Sequence, residues 1–91
     1  NSPLVIDSAT KLAERLVEKG GGADERVRRA YRIALSRPAD AAEVDRAVEF
    51  VAQTQAELQQ AGRQKSADAE TTAWTAFCQS ILASAEFRYI N

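Results

Sequence analysis

The C-terminal stretch of the sequence reads WTAFCQSILASAEFRYIN, residues Trp74–Asn91. It holds four of the six aromatic residues of the chain, which are Trp74, Phe77, Phe87 and Tyr89. Large rings dominate the burial energy of a small core, so we expect the other helices to pack on this stretch. Its apolar stripe at helical spacing is Trp74, Phe77, Cys78, Ile81 and Leu82. We expect Asp68 or Thr71 to cap this helix and Ser84 to begin a short C-terminal turn.

Two helices are predicted upstream of the first proline turn. The first begins at Ser2-Pro3 and ends at Gly20–Gly22, since glycine tolerates a left-handed cap. The triplet lacks the Gly-Lys-Ser/Thr ending of a phosphate-binding loop, and Asp24 and Glu25 follow it, so we interpret it as a connector. Asp24 is then expected to cap a second helix that runs to about Leu35, because Pro38 disfavours helical geometry before it.

A third helix is predicted to begin after Asp40, with Glu43 completing a capping box. It extends to Ala61 and is closed by Gly62, and Phe50 flanks its buried stripe. The sequence therefore predicts an all-α bundle of four main helices with a short C-terminal turn, in one domain spanning residues 1–91. The predicted core is Val5, Leu12, Leu16, Val27, Tyr31, Leu35, Val44, Val48, Val51, Trp74, Phe77, Ile81, Leu82 and Phe87.

Composition narrows the classes of function. The formal net charge of -1 gives no global attraction to nucleic acid or to an acidic membrane. The chain has no histidine, which is the commonest metal ligand and general base. Its lone Cys78 lies on the aromatic stripe, and we interpret it as a buried small apolar residue rather than a reactive thiol. No apolar run approaches the roughly 20 residues that span a bilayer.

Two segments carry a resemblance to a known family. They are YRIALSRPADAAEV, residues Tyr31–Val44, and AWTAFCQSILASAEFRYIN, residues Ala73–Asn91. Together with the start NSPLV, they resemble the C-terminal part of a planctomycete domain of unknown function that accompanies cytochrome-c-like domains (PSD-one type). The chain departs from that pattern at Ser36, Phe77 and Ala83, where the family has Gly, Leu and Asn.

The resemblance implies a larger exported parent protein with an extracytoplasmic location, at the periplasm or cell surface. The chain opens on Asn1 without an initiator Met, which agrees with the expectation that it is part of a longer protein. The haem-attachment motif Cys-x-x-Cys-His is absent from the sequence, so the resemblance implies that any haem belongs elsewhere in the parent. We expect no cofactor, metal or catalytic residue in this chain.

Two groups of charged residues are candidates for a role. Arg28, Arg29 and Arg32 belong to the only basic concentration in the chain and form a candidate interaction patch. Arg37 and Glu86 belong to the two family-like segments and adjoin expected chain reversals, so we hypothesise a structural latch between them.

The sequence favours a non-catalytic interaction or scaffolding module whose partners are other domains of the parent chain, an extracytoplasmic protein or a glycan. One alternative is that this chain forms part of an enzyme or electron-transfer domain, and that sequence upstream of it completes that domain. A third reading is nucleic-acid binding through the arginines of the second helix, which the acidic start of the third helix and the lack of base-reading side chains disfavour.

Overall fold

Four α-helices make up the computed structural model, which describes residues 3–62 and 65–90, with side chains to residue 85. They are α1 (Pro3–Lys19), α2 (Ala23–Leu35), α3 (Ala41–Gln60) and α4 (Ser66–Ile90). The predicted all-α bundle is confirmed, and the helix count agrees with the expected four.

The longest helix, α4, lies at the centre of the packing. It contacts all three other helices, most extensively α1 and α3. Its buried residues are Ala69, Ala73, Trp74, Phe77, Cys78, Ile81 and Ala85. At about 100° of rotation per residue these positions spread over about 180° of the helix surface, which leaves room for several neighbours. The C-terminal stretch therefore organises the fold as the sequence predicted.

The ends of α4 differ from the prediction. The helix begins at Ser66, so Asp68 and Thr71 lie inside it rather than capping it. It also continues through Ser84 to Ile90, and the short C-terminal turn expected from Ser84 onward is instead the last part of the helix. The sequence from Ser66 to Ile90 contains neither Gly nor Pro, and helix-internal hydroxyls bond back to the preceding turn, as Thr75 Oγ1 does to the Thr71 carbonyl at 2.8 Å.

Capping residues fix where α2 and α3 begin. The Asp40 side chain accepts a hydrogen bond from the Glu43 backbone N–H at 2.8 Å, and Glu43 Oε1 accepts one from the Asp40 N–H at 3.0 Å. This confirms the predicted capping box. The cap of α2 is Gly22 rather than the predicted Asp24, which lies in the first turn and pairs with Arg28. A carboxylate there is favourable because it faces the positive end of the helix dipole.

Two chain reversals depend on left-handed backbone. Gly20 and Gly21 have φ angles of 76° and 89°, which confirms that the glycine triplet ends α1. Ser36, at the end of α2, has a φ of 55° although it carries a Cβ. Its N–H donates to the Arg32 carbonyl at 3.1 Å and so closes the last turn of α2.

The core largely matches the prediction. Buried as predicted are Val5, Leu12, Leu16, Val27, Tyr31, Val44, Val51, Trp74, Phe77 and Ile81. Leu35, Val48 and Leu82 pack against this core but stay partly exposed, and the Phe87 side chain lies outside the described residues. Alanines contribute more than the sequence suggested, because Ala9 and Ala13 of α1 and Ala69 and Ala73 of α4 are fully buried. Small residues allow close approach of two helices, and α1 and α4 have the most extensive contact in the bundle.

Candidate interaction surfaces

Arg37 and Glu43 join the end of α2 to the start of α3. Arg37 Nη1 donates to Glu43 Oε1 at 2.9 Å, and Nη2 donates to Oε2 at 2.8 Å. The guanidinium also donates to the Pro38 carbonyl at 3.0 Å and lies 5.3 Å from the Tyr31 ring centre. A two-point pair of this kind fixes orientation as well as distance. Because Glu43 caps α3 at the same time, this cluster holds the proline turn in place.

The pair changes the acidity of its neighbours. The Arg37 hydrogen bonds, with the Asp40 N–H second, lower the pKa of Glu43 from 4.5 to about 2. Burial raises the pKa of Tyr31, and the nearby Glu43 carboxylate raises it further. Glu43 is therefore ionised and Tyr31 neutral near pH 7. Both groups are held in one protonation state by the fold.

The predicted latch joined Arg37 to Glu86. The Glu86 side chain lies outside the described residues, so this pairing stays a prediction. The partner of Arg37 in the described part of the chain is Glu43, six residues away.

The predicted arginine patch lies on the side of α2 that points away from the core. Arg28 and Arg32 are exposed and Arg29 is half-buried, while Val27, Ala30 and Tyr31 face inward. Arg28 is paired with Asp24 at 3.2 Å. Arg29 Nη1 is buried without a hydrogen-bond partner in the described residues. Exposed Ile33 lies one turn after Arg29. This face of α2 therefore presents the Asp24 carboxylate and an apolar residue among its cations, and such a mixture disfavours nucleic-acid binding.

A groove runs between α1 and α2 next to this patch. It has a volume of about 300 Å³, and its lining is Ser8, Lys11, Leu12, Arg15, Ile33, Ala34 and Leu82. Ile33 is 45% exposed. Lys11 pairs with Asp7 at 3.2 Å. The groove thus combines an apolar floor with basic residues of α1.

A second groove lies where α3, α4 and the end of α2 meet, and we call it the Phe50 groove. It encloses about 270 Å³ and is lined by Tyr31, Glu43, Arg46, Ala47, Phe50, Phe77, Ser80 and Ile81. Phe77 and Ile81 are buried core residues, whereas Phe50 is 44% exposed. The sequence placed Phe50 beside the stripe of the third helix but did not predict this groove. The sequence feature that could have indicated the groove is an aromatic residue, Phe50, at the edge of an apolar stripe.

Arg26 makes contacts in the interior of the bundle that the sequence did not predict. Its side chain is 11% exposed and its Nη1 donates to Glu70 of α4 at 3.1 Å. Nη2 donates to the Val17 carbonyl of α1 at 3.4 Å, and the guanidinium carbon lies 5.5 Å from the Trp74 ring centre. One side chain therefore joins α1, α2 and α4. Its partner Glu70 is 44 residues away, so no local spacing rule could reveal it.

Cys78 is fully buried in α4. Burial raises the pKa of its thiol from 9.0 to about 12. The thiolate is the nucleophilic form of cysteine, so this thiol is held in its unreactive form. The prediction of a buried small apolar residue is confirmed.

Two other kinds of feature are absent from the described part of the chain, residues 3–62 and 65–90. Among the side chains that the structure describes, those of residues 3–62 and 65–85, no three of Cys, Asp or Glu come together as a metal site. None of the helices in that part of the chain combines the length and the apolar character that crossing a membrane requires.

Comparisons of the chain with protein-family models, with curated proteins and with solved structures return no match. The resemblance to the planctomycete domain therefore stays a prediction that rests on the two quoted segments.

Proposed function

We propose that this chain is a non-catalytic interaction or scaffolding module within a larger exported, cytochrome-associated protein. The location and the haem-bearing neighbours come from the family resemblance. The binding role is supported by the surface of the bundle itself. Its partners would be other domains of the parent chain, or an extracytoplasmic protein or glycan.

The observation that carries this proposal is the pairing of an exposed apolar side chain with cations at two grooves. Ile33 lies beside Arg29 and the basic edge of the α1–α2 groove, and Phe50 lies beside Arg46. Single exposed apolar residues are ordinary on a protein surface. Aromatic residues and arginine are enriched at binding hot spots, and a groove gives a partner side chain a place to be buried. The combination therefore favours binding over a merely solvated exterior.

The test is a calorimetric titration of this chain against the remaining domains of its parent protein at low and moderate salt. We expect binding with a negative heat-capacity change, because apolar surface is buried. We also expect weaker binding at moderate salt if Arg28, Arg29 and Arg32 take part, because exposed charges are screened. A variant with Arg29→Glu and Arg32→Glu should lose most of that salt dependence. An absence of heat at both salt concentrations would contradict an internal contact within the parent.

A further inference from the structure

We propose that the Phe50 groove receives an apolar side chain of a partner protein segment that carries a carboxylate within about one helical turn of that side chain. The inference rests on the proposed interaction role and assigns it a surface and a partner chemistry. Three features carry it: the shape and floor of the groove, its charge, and its contrast with the acidic groove on the other side of α3.

The groove is suited to a side chain rather than to a small-molecule cofactor. Its volume of about 270 Å³ is open to solvent along one side. Pockets for small molecules bury most of the ligand's surface, which a groove open along one side does not do. The floor consists of Phe77 and Ile81, which are also core residues, so it is rigid. Exposed Phe50 forms one wall, and a partner side chain placed against it would remove apolar surface from water on both molecules.

The charge of the groove selects an acidic partner. The Glu43 carboxylate is occupied by two hydrogen bonds from Arg37. Arg46 is exposed, and no carboxylate among the described residues pairs with it. It lies one helical turn before Phe50 on α3, so the two side chains are neighbours on the helix surface. Arg37 and Arg46 thus share the single Glu43 carboxylate, and these three groups carry a net charge of +1 beside an apolar wall.

A second copy of the same chain fits this surface less well. A symmetric dimer brings the same patch of both copies together, so two patches of the same net positive charge would meet. The groove on the other side of α3 has the opposite character, because Asp45 and Glu49 line it and none of its residues is a large exposed apolar one. The Phe50 groove is thus distinguished from its neighbour by both charge and apolar exposure.

The first experiment is selection from a displayed library of random 12-residue peptides against the intact chain. We expect enriched sequences to share Leu, Ile, Phe or Trp with Asp or Glu within four positions. The affinity of the best synthetic peptide is then measured by calorimetry for the wild type and three variants. Thermal unfolding of each variant, followed by circular dichroism, checks that the bundle is intact.

The variants separate this groove from the rest of the surface. Phe50→Ser should weaken peptide binding by about tenfold or more, as the loss of a hot-spot residue does. Ile6→Ser removes an apolar residue of α1 that lines neither groove and has nearly equal exposure, 45% against 44%, so it should leave binding unchanged. Arg46→Glu should weaken binding of the acidic peptide about five- to tenfold, and replacing the peptide carboxylate by Lys should restore it.

The outcomes are decisive in either direction. The proposal is overturned if no peptide is enriched above a bait-free control, if enriched peptides lack a carboxylate, or if Phe50→Ser and Ile6→Ser behave alike. It is also overturned if the chain elutes as a dimer that Phe50→Ser converts to a monomer, since a second copy then occupies the groove. Parent domains that bind Phe50→Ser and wild type equally would leave the interaction role standing and reject this surface.

Discussion

Arg37 and Glu43 meet through two parallel hydrogen bonds of 2.9 and 2.8 Å, so a residue just beyond the end of α2 is tied to the capping box of α3. The same carboxylate accepts the Asp40 N–H at 3.0 Å. One side chain thus satisfies a helix terminus and an arginine together. This arrangement explains why the short proline-containing turn can hold the two helices as a hairpin.

The first prediction concerns the acid stability of this turn. The pKa of Glu43 is lowered from 4.5 to about 2 by the Arg37 and Asp40 hydrogen bonds. A carboxyl group whose pKa is lower in the folded than in the unfolded protein stabilises the fold at pH values above its unfolded-state pKa. This stabilisation is lost as the pH falls through the folded-state pKa. Glu43→Gln should therefore unfold at a lower urea concentration than the wild type at pH 6. The difference should shrink between pH 4.5 and pH 2, where the wild-type carboxyl becomes protonated.

The matched control is Glu49→Gln, which alters an exposed carboxylate of the same helix. It should change the urea midpoint little at any pH, since exposed charges away from a pair contribute little. A Glu43→Gln deficit that is the same at pH 6 and pH 2 would reject an ionic role for this pair.

The second prediction uses the left-handed residue at the end of α2. Ser36 has a φ of 55°, where a Cβ costs about 1–2 kcal/mol relative to the right-handed region. Ser36→Gly removes that cost and should raise the free energy of unfolding by about 0.5–1 kcal/mol after the entropy of glycine is counted. Ser36→Ala keeps the Cβ and should give no such gain. Chemical denaturation of the three proteins tests this, and equal stability of the glycine and alanine variants would contradict it.

The third prediction addresses Arg26, which contacts Glu70, Trp74 and the Val17 carbonyl. Arg26→Met should lower the free energy of unfolding by about 1–3 kcal/mol, as loss of hydrogen bonds to a charged group does. Arg26→Lys keeps the charge but lacks the planar fork, so it should recover only part of this loss.

Coupling between Arg26 and Glu70 can be measured by a double-mutant cycle with Glu70→Gln. We expect the two losses to be less than additive, because the residues share one contact. Strictly additive losses would show that the ion pair contributes nothing and that Arg26 acts through Trp74 and Val17 alone.

The fourth prediction concerns Cys78, whose pKa burial raises to about 12. At pH 8 the folded protein should react with iodoacetamide far more slowly than the urea-unfolded protein, in which the thiol has its ordinary acidity. The reaction rate of the folded protein should rise with urea in parallel with the unfolded fraction. Rapid alkylation without urea would mean that the thiol is accessible in the folded state.

Local signals accounted for much of this fold. The Asp40 capping box, the glycine triplet and the apolar stripes each depend on residues within a few positions of one another, and each appears as predicted. Prediction failed at the ends of α4, because Ser84 is compatible with both a turn and a helix and packing on α1 and α3 decides between them.

The surface was harder to predict than the core. The arginine patch lies on the outer side of α2, whereas Arg26 of the same helix turns inward to a partner 44 residues away. Phe50 was seen only as a flanking position, because a groove between three helices is set by their relative placement rather than by any one pattern. Long-range contacts of this kind have no signature in sequence spacing.

The central claim is that this bundle binds a partner through the Phe50 groove. The most direct measurement is a ¹⁵N–¹H correlation spectrum of the labelled chain, titrated with the remaining domains of the proposed parent protein. We predict that the largest amide shift changes will cluster at Arg46–Phe50 of α3 and at Ser80 and Ile81 of α4. Changes centred on the outer side of α2, or an unchanged spectrum at saturating partner, would contradict the claim.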